Sequence, residues 1–287
     1  MTRVGLFLIA LLTAPAIAGP NDVDRFADVQ ITSTQLAQGV HMLKGAGGNI
    51  GVSSGPDGIL IIDDQFAPLA DKIEAALARI RPGPVRFIIN THHHGDHTGG
   101  NAHFSQQGTV FAHHNVLRHL QADETTTPAH WPVVTYQDGV TFRFNEQSIR
   151  VIHLGAGHTD GDSLVWFEDA NVLHMGDLYF KDRFPYVDLA HGGTVRGYTE
   201  RVSEVLQWTD DNTRIIPGHG DLANRTDLTR FHTMLEDSLR WAESMKGQPK
   251  AKWHEAGLPE QYKDWSWQFI GESRWIDTLW QEMETMP

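Results

Sequence analysis

Thr91-His92-His93-His94-Gly95-Asp96-His97-Thr98-Gly99-Gly100 is the stretch on which the reading of this chain turns. It follows Val85–Ile89, an apolar run with the composition of a buried strand. A rigid strand thus ends where a cluster of five His and Asp side chains, residue types that bind metals, begins. In an extended loop, residues two apart face the same way, so His92 and His94 can grip one ion together. Asp96 and His97 come after Gly95, which permits a sharp backbone turn and could aim them at a second point.

Three later residues share the same placement. His158 stands in Gly155-Ala156-Gly157-His158-Thr159-Asp160, just after the strand-like run Ile149–Leu154. Asp177 stands in His174-Met175-Gly176-Asp177, after Val172–Met175, and His219 stands in Ile216-Pro217-Gly218-His219-Gly220. Side chains at strand ends can converge while the backbone stays rigid. The chain has no cysteine, which excludes a thiolate ligand, a Cys nucleophile and a disulfide framework, so its chemistry rests on nitrogen and oxygen.

These blocks, in this order, resemble the metallo-β-lactamase fold superfamily over roughly residues 40–220. Ile61-Ile62-Asp63 also matches the family's early strand ending in Asp. The resemblance implies a four-layer αββα sandwich, α/β (α+β) in class, with the metal site along one edge of its two sheets. It implies that His92, His94 and His158 form a first metal site and Asp96, His97 and His219 a second, with Asp177 as the bridging carboxylate. Seven ligands are too many for one ion, and suit two ions about 3.5–4 Å apart. Zinc is the first expectation, and the imidazole and carboxylate set also tolerates iron or manganese.

The implied function is a hydrolase that uses a metal-bridging hydroxide against the carbonyl of a small ester, thioester, lactone or amide, with Asp96 as the catalytic carboxylate. The ligand set is similar to that of glyoxalase II and related thioester hydrolases. It departs from the familiar lactamase subclass, which has Cys at the position of Asp177 and a substrate-binding Lys where this chain has Phe180, with Lys181 one step on. A periplasmic β-lactamase is therefore the first alternative. A mononuclear iron dioxygenase acting on persulfides and a non-catalytic accessory protein are alternatives of other classes. Lys181, Arg183 and His191 are candidates for contacting a substrate carboxylate. His93 is expected to point away from the ions, Asp63 to be a supporting carboxylate, and His153 and His174 to be hydrogen-bonded core histidines.

The wider composition fits this reading. A net charge of −13 leaves no excess of cations to neutralise phosphates, which argues against nucleic acid as partner and against a phosphodiester polyanion as substrate. Residues 1–18 read as a secretory signal: Arg3 precedes the apolar run Val4–Leu12, and Ala16-Ile17-Ala18 supplies the cleavage pattern. The run is too short to cross a hydrocarbon core of roughly 30 Å, so a periplasmic or secreted protein with no membrane anchor is expected. Residues 19–222 are expected to form the metal-binding domain and 223–287 a helical extension of it. That extension carries six of the nine tryptophans, read first as packing and second as an aromatic wall over the site or an oligomer interface.

Overall fold

Ile59 and Ile61 are buried on one side of their strand, and Leu60 and Ile62 are buried on the other. Such a strand, apolar on both faces, belongs inside a layered fold. The computed structural model describes residues 25–285 and shows those layers. The signal-like residues 1–18 lie outside the described part.

Strands β1 (Thr32–Ala37), β2 (Val40–Lys44), β3 (Ile50–Gly55) and β4 (Gly58–Ile62) run as an antiparallel meander. Helix α1 (Ala70–Ile80) crosses over to β5 (Val85–Ile89), which pairs parallel to β4. One-turn helices α2 (Gly95–Thr98) and α3 (Asn101–Phe104) lead to β6 (Thr109–His113), followed by α4 (His114–Ala122) and β7 (Val134–Tyr136). These seven strands form one sheet, ordered as in the chain. The second sheet is ordered β13-β12-β11-β10-β9-β8 and comprises β8 (Gly139–Phe144), β9 (Gln147–Ile152), β10 (Leu164–Phe167), β11 (Val172–His174), β12 (Arg214–Ile216) and β13 (Ala223–Asn224).

Period-two alternation assigns each side chain to a layer. Leu60, Ile62 and Ile89 of the first sheet share an inner core with Phe142, Val151, Val165, Val172 and Ile216 of the second. On the outer face of the first sheet, Ile59, Ile61 and Ile88 pack with Ile73 and Leu77 of α1. On the outer face of the second, Leu164, Leu173 and Ile215 pack under α5 (Val195–Trp208), α6 (Arg225–Met245), α7 (Lys250–Ala256) and α8 (Glu272–Thr285). The result is the αββα order.

Three elements differ from their sequence reading. β1 is not announced by its sequence, because its first four residues are exposed and carry no apolar alternation. β7 is likewise a short, exposed edge strand. The helical extension expected from residue 223 begins its first helix at Arg225, since the Asn224 side chain accepts from Asp227 N–H and caps it. Residues 223–224 pair with β12 instead.

The C-terminal helices grip the segment that follows Asp177. Glu282 of α8 accepts from the backbone N–H groups of Val195 and Arg196, the first turn of α5. Trp275 is fully buried, its ring lies 6.1 Å from that of Phe184, and its indole N–H donates to Ser238 Oγ at 3.0 Å. Trp275→Ala is expected to cost about 3–5 kcal/mol, the usual range for deleting a core aromatic. The denaturant midpoint measures it, and a shift worth less than about 1 kcal/mol would contradict this packing role. Among the described residues no helix is long and apolar enough to cross a membrane.

Candidate metal centre

All seven expected ligands meet at the edge where β5, β9, β11 and β12 end. His92, His94, His158 and Asp177 each bring a ligand atom within 4.8 Å of the others, and Asp96, His97 and His219 do the same. Asp177 joins the two groups. Its Oδ2 lies 3.8 Å from His92 Nε2 and 3.5 Å from His158 Nε2, while its Oδ1 lies 3.1 Å from His97 Nε2 and 3.4 Å from His219 Nε2. Asp96 Oδ2 completes the second pole, 3.3 Å from His219 Nε2 and 3.7 Å from His97 Nε2.

Hydrogen bonds on the far side of each ring set which nitrogen faces the centre. Thr91 Oγ1 spends its proton on Asp63 Oδ2 at 2.8 Å, so His92 Nδ1–H donates to that hydroxyl at 3.0 Å and Nε2 keeps its lone pair. His97 Nδ1–H donates to Asp63 Oδ2 at 2.7 Å, and His158 Nδ1–H donates to the Tyr186 carbonyl at 2.8 Å. His94 is turned the other way. Its Nε2–H donates to Asp188 Oδ2 at 2.8 Å, which leaves Nδ1 facing His158 Nε2 at 2.9 Å.

These residues fit metal ions. His92 Nε2, His97 Nε2 and Asp177 Oδ1 are buried atoms without a hydrogen-bond partner among the described residues. Buried polar atoms of this kind are costly unless something binds them. Burial pushes His92 well below the usual imidazole range and His158 down to about 4, so both are neutral donors at pH 7. At the second pole, burial opposes charge on His219, but Asp177 and Asp96 outweigh it and push it up to about 9. That pole attracts positive charge, and a divalent cation can take the place of the proton.

Two glycines make room for these groups. A Cβ on Gly48 would lie 2.2 Å from His97 Cε1, and one on Gly218 would lie 2.0 Å from Asp177 Oδ1. Gly95, expected to be needed for the turn, has no neighbour within 4 Å and no left-handed φ. An ordinary turn of helix swings Asp96 and His97 round, with His97 N–H donating to the His94 carbonyl at 2.9 Å.

Asp63 sits in the left-handed region (φ 62°), its oxygens bonded to Thr91 N, Thr91 Oγ1 and His97 Nδ1. Asn tolerates that backbone, so Asp63→Asn tests the carboxylate alone. We expect metal affinity at the second pole to fall about 10–100-fold, read by competition with a chelator; unchanged affinity would refute a supporting role.

The remaining histidines and the three substrate-contact candidates occupy other positions. His174 is fully buried, its Nε2–H donating to Asn49 O at 3.0 Å, and His153 donates to Asp162 O at 2.7 Å and stacks on His113. His93 turns outward against His119 and His191. Lys181 donates to the Leu222 carbonyl at 2.9 Å and pairs with Asp227 at 3.1 Å, and His191 donates to Asp188 at 2.7 Å. Arg183 lies 5.0 Å over the Trp267 ring. None of these three candidates lines the cavity above the metal centre. Sequence proximity to Asp177 suggested them, but Lys181 is drawn aside by the acidic first turn of α6.

That cavity encloses about 640 Å³, and its walls include Phe66, Phe180, Tyr186, Trp267 and Phe269. Phe180 stacks on His219 with ring centroids 5.0 Å apart. The tail thus plays both roles considered for it, since Trp253 and Trp275 are core residues while Trp267 faces the site.

A sandwich that carries a His/Asp centre with one carboxylate shared between two poles defines a class of metal-dependent hydrolases. Residues 51–219, more than half of the chain, match the family model of the metallo-β-lactamase superfamily, and the chain belongs to that superfamily. It is similar to a hydroxyacylglutathione hydrolase of Brucella anthropi, 29% identical over 233 residues that cover 70% of this chain and 83% of that one. A hydroxyacylglutathione hydrolase of Methylococcus capsulatus is 36% identical over 95 residues, 32% of this chain and 33% of that protein. A metallo-β-lactamase type 2 of Bacillus cereus is 24% identical over 52% of this chain and 57% of its own. Among solved structures, a metallo-β-lactamase from Pontibacter korlensis superposes with a TM-score of 0.63 at 18% identity, covering 72% of this chain and all of that one. This last likeness is one of fold.

Proposed function

We propose that the protein is an exported dinuclear zinc hydrolase acting on the carbonyl of a small ester, thioester, lactone or amide. The observation that carries this reading is the split of Asp177, one oxygen to each pole. Two divalent cations, when bound, supply a hydroxide nucleophile near neutral pH and a Lewis acid for the carbonyl oxygen. His92, His94 and His158 would hold one, Asp96, His97 and His219 the other, and Asp177 both.

The chain's own residues do the rest. Asp96 faces the cavity and can accept the proton of the attacking water and orient it. The aromatic walls exclude bulk water and strengthen the electrostatics inside. A β-lactam is the second reading, favoured by the signal-like N-terminus and by the Bacillus cereus relative. Phe180 counts against it, because an aromatic ring stacked on His219 replaces the cation of the familiar lactamases.

The test is metal analysis of the chain from Gly19 onward, with hydrolysis assays on a β-lactam, a thioester and a lactone, with and without a chelator. About two zinc ions per chain and chelator-sensitive turnover are expected. One iron per chain, oxygen uptake with a persulfide and no hydrolysis would replace this reading with the dioxygenase.

A further inference from the structure

We infer that Arg25 selects the substrate, and that the substrate carries an anionic group, a carboxylate in the simplest case, beyond an apolar body. This rests on the hydrolase reading above and specifies what that hydrolase accepts. Arg25 is the only Lys or Arg that lines the cavity among the described residues. Its guanidinium lies 4.7 Å over the Phe26 ring and 5.0 Å over that of Phe66, itself a cavity wall. Aromatic rings at these distances support a guanidinium by cation–π attraction, which leaves its N–H groups able to take a carboxylate. It makes no ion pair with another described residue.

The segment that carries Arg25 is fixed in place. Lys72 of α1 donates to three backbone carbonyls of that segment, Phe26 at 2.8 Å, Ala27 at 2.6 Å and Val29 at 2.9 Å, which uses all three ammonium protons. Phe26 is buried and packs on Phe66 with centroids 5.2 Å apart. Lys72 is therefore a positioning residue, holding the N-terminal segment so that Arg25 stays at the cavity.

Two further arginines, neither of which lines the cavity itself, lie on other aromatic residues of its walls. Arg183 lies over Trp267, and Arg274 lies 4.4 Å over Phe269 and 5.3 Å over Tyr186. A chain of net charge −13 repels anions at long range, and Asp96, Asp177 and Asp188 line this cavity, so these arginines and the cations of the proposed centre are what would admit an anion. The lining of this one cavity thus brings together a candidate metal centre for the carbonyl, aromatic faces for the body and a guanidinium for the anion.

The metal-loaded protein should be given two phenyl esters of a five-carbon chain, one ending in a free carboxylate and one in a primary amide. Wild type is expected to favour the carboxylate in kcat/KM by about 10–100-fold, mostly through KM, as one charge-assisted Arg–carboxylate contact allows. Arg25→Ala and Lys72→Met should lose this preference, Arg25→Lys should retain part of it, and added salt should weaken it. The ether analogues 5-phenoxypentanoate and 5-phenoxypentanamide, followed by tryptophan fluorescence, give the same comparison without turnover. Equal binding of the two ethers, or a preference that survives Arg25→Ala, would overturn the inference while leaving the hydrolase intact. Preferred binding of the carboxylate ether that is lost in Arg25→Ala, with neither ester hydrolysed, would support the selection by Arg25 and count against the hydrolase reading.

Discussion

Asp177→Asn is expected to strip metal from both poles at once and to reduce turnover by a factor on the order of 10³ or more. Partners that only orient a metal ligand from behind already command about 10–100-fold, and in the proposed dinuclear centre Asp177 would be a direct ligand to two ions. Its two oxygens are divided, Oδ2 toward His92 and His158 and Oδ1 toward His97 and His219. An amide has one oxygen, so whichever way Asn turns, an NH₂ group faces one pole. The substitution would also remove the negative charge that, in the proposed centre, offsets two neighbouring cations. The surrounding backbone is held independently, since Tyr198 O–H donates to the Asp177 carbonyl at 2.5 Å and Gly218 N–H donates to the Gly176 carbonyl at 2.7 Å. The fold should therefore survive, which circular dichroism checks. Metal analysis of the dialysed variant is the direct readout, and two retained ions with normal turnover would refute the shared role of Asp177.

The seven candidate ligands could be picked out of the sequence because each is announced locally. An apolar run, a glycine and then a His or Asp mark a strand that ends in a functional turn, and the period-two burial of Ile59–Ile62 shows why such runs stack as layers. Ordering the seven residues into two poles came from the family resemblance, and the distances around Asp177 agree with that order. What was not readable depends on contacts between distant parts of the chain. Asp188 orients His94 from 94 positions away, and its place at the head of the short turn Leu189–His191 marks it in sequence as a turn cap rather than as a partner of His94. Arg25 reaches the cavity only because Lys72 pins its segment, and no spacing rule links residues 25 and 72. The tryptophans of the tail look alike in sequence, yet Trp275 is core while Trp267 forms a wall. Lys181, chosen for its nearness to Asp177, is claimed by Asp227.

Asp96 separates ligation from proton transfer, and a pair of variants can tell these apart. Its Oδ2 sits 3.3 Å from His219 Nε2, and its backbone carbonyl accepts from Gly48 N–H at 3.0 Å, so the side chain is held between the second pole and the cavity. Despite burial, His97 and His219 keep its carboxyl below the usual range, so it is ionised at neutral pH and available as a base. Asp96→Ala removes both the oxygen donor and the base, and turnover should fall by about 10²–10⁴-fold, the range for losing a positioned proton acceptor. Asp96→Asn keeps a neutral oxygen at the pole but has no basicity. If the base is the larger contribution, Asn should hold the second ion better than Ala does while remaining nearly as slow. If ligation dominates, Asn should recover turnover in step with its metal content, once the ion is supplied in excess. Near-normal hydrolysis by Asp96→Ala, with two ions bound, would remove Asp96 from the mechanism and leave the proton to another group at the cavity, of which Asp188 is the nearest in kind.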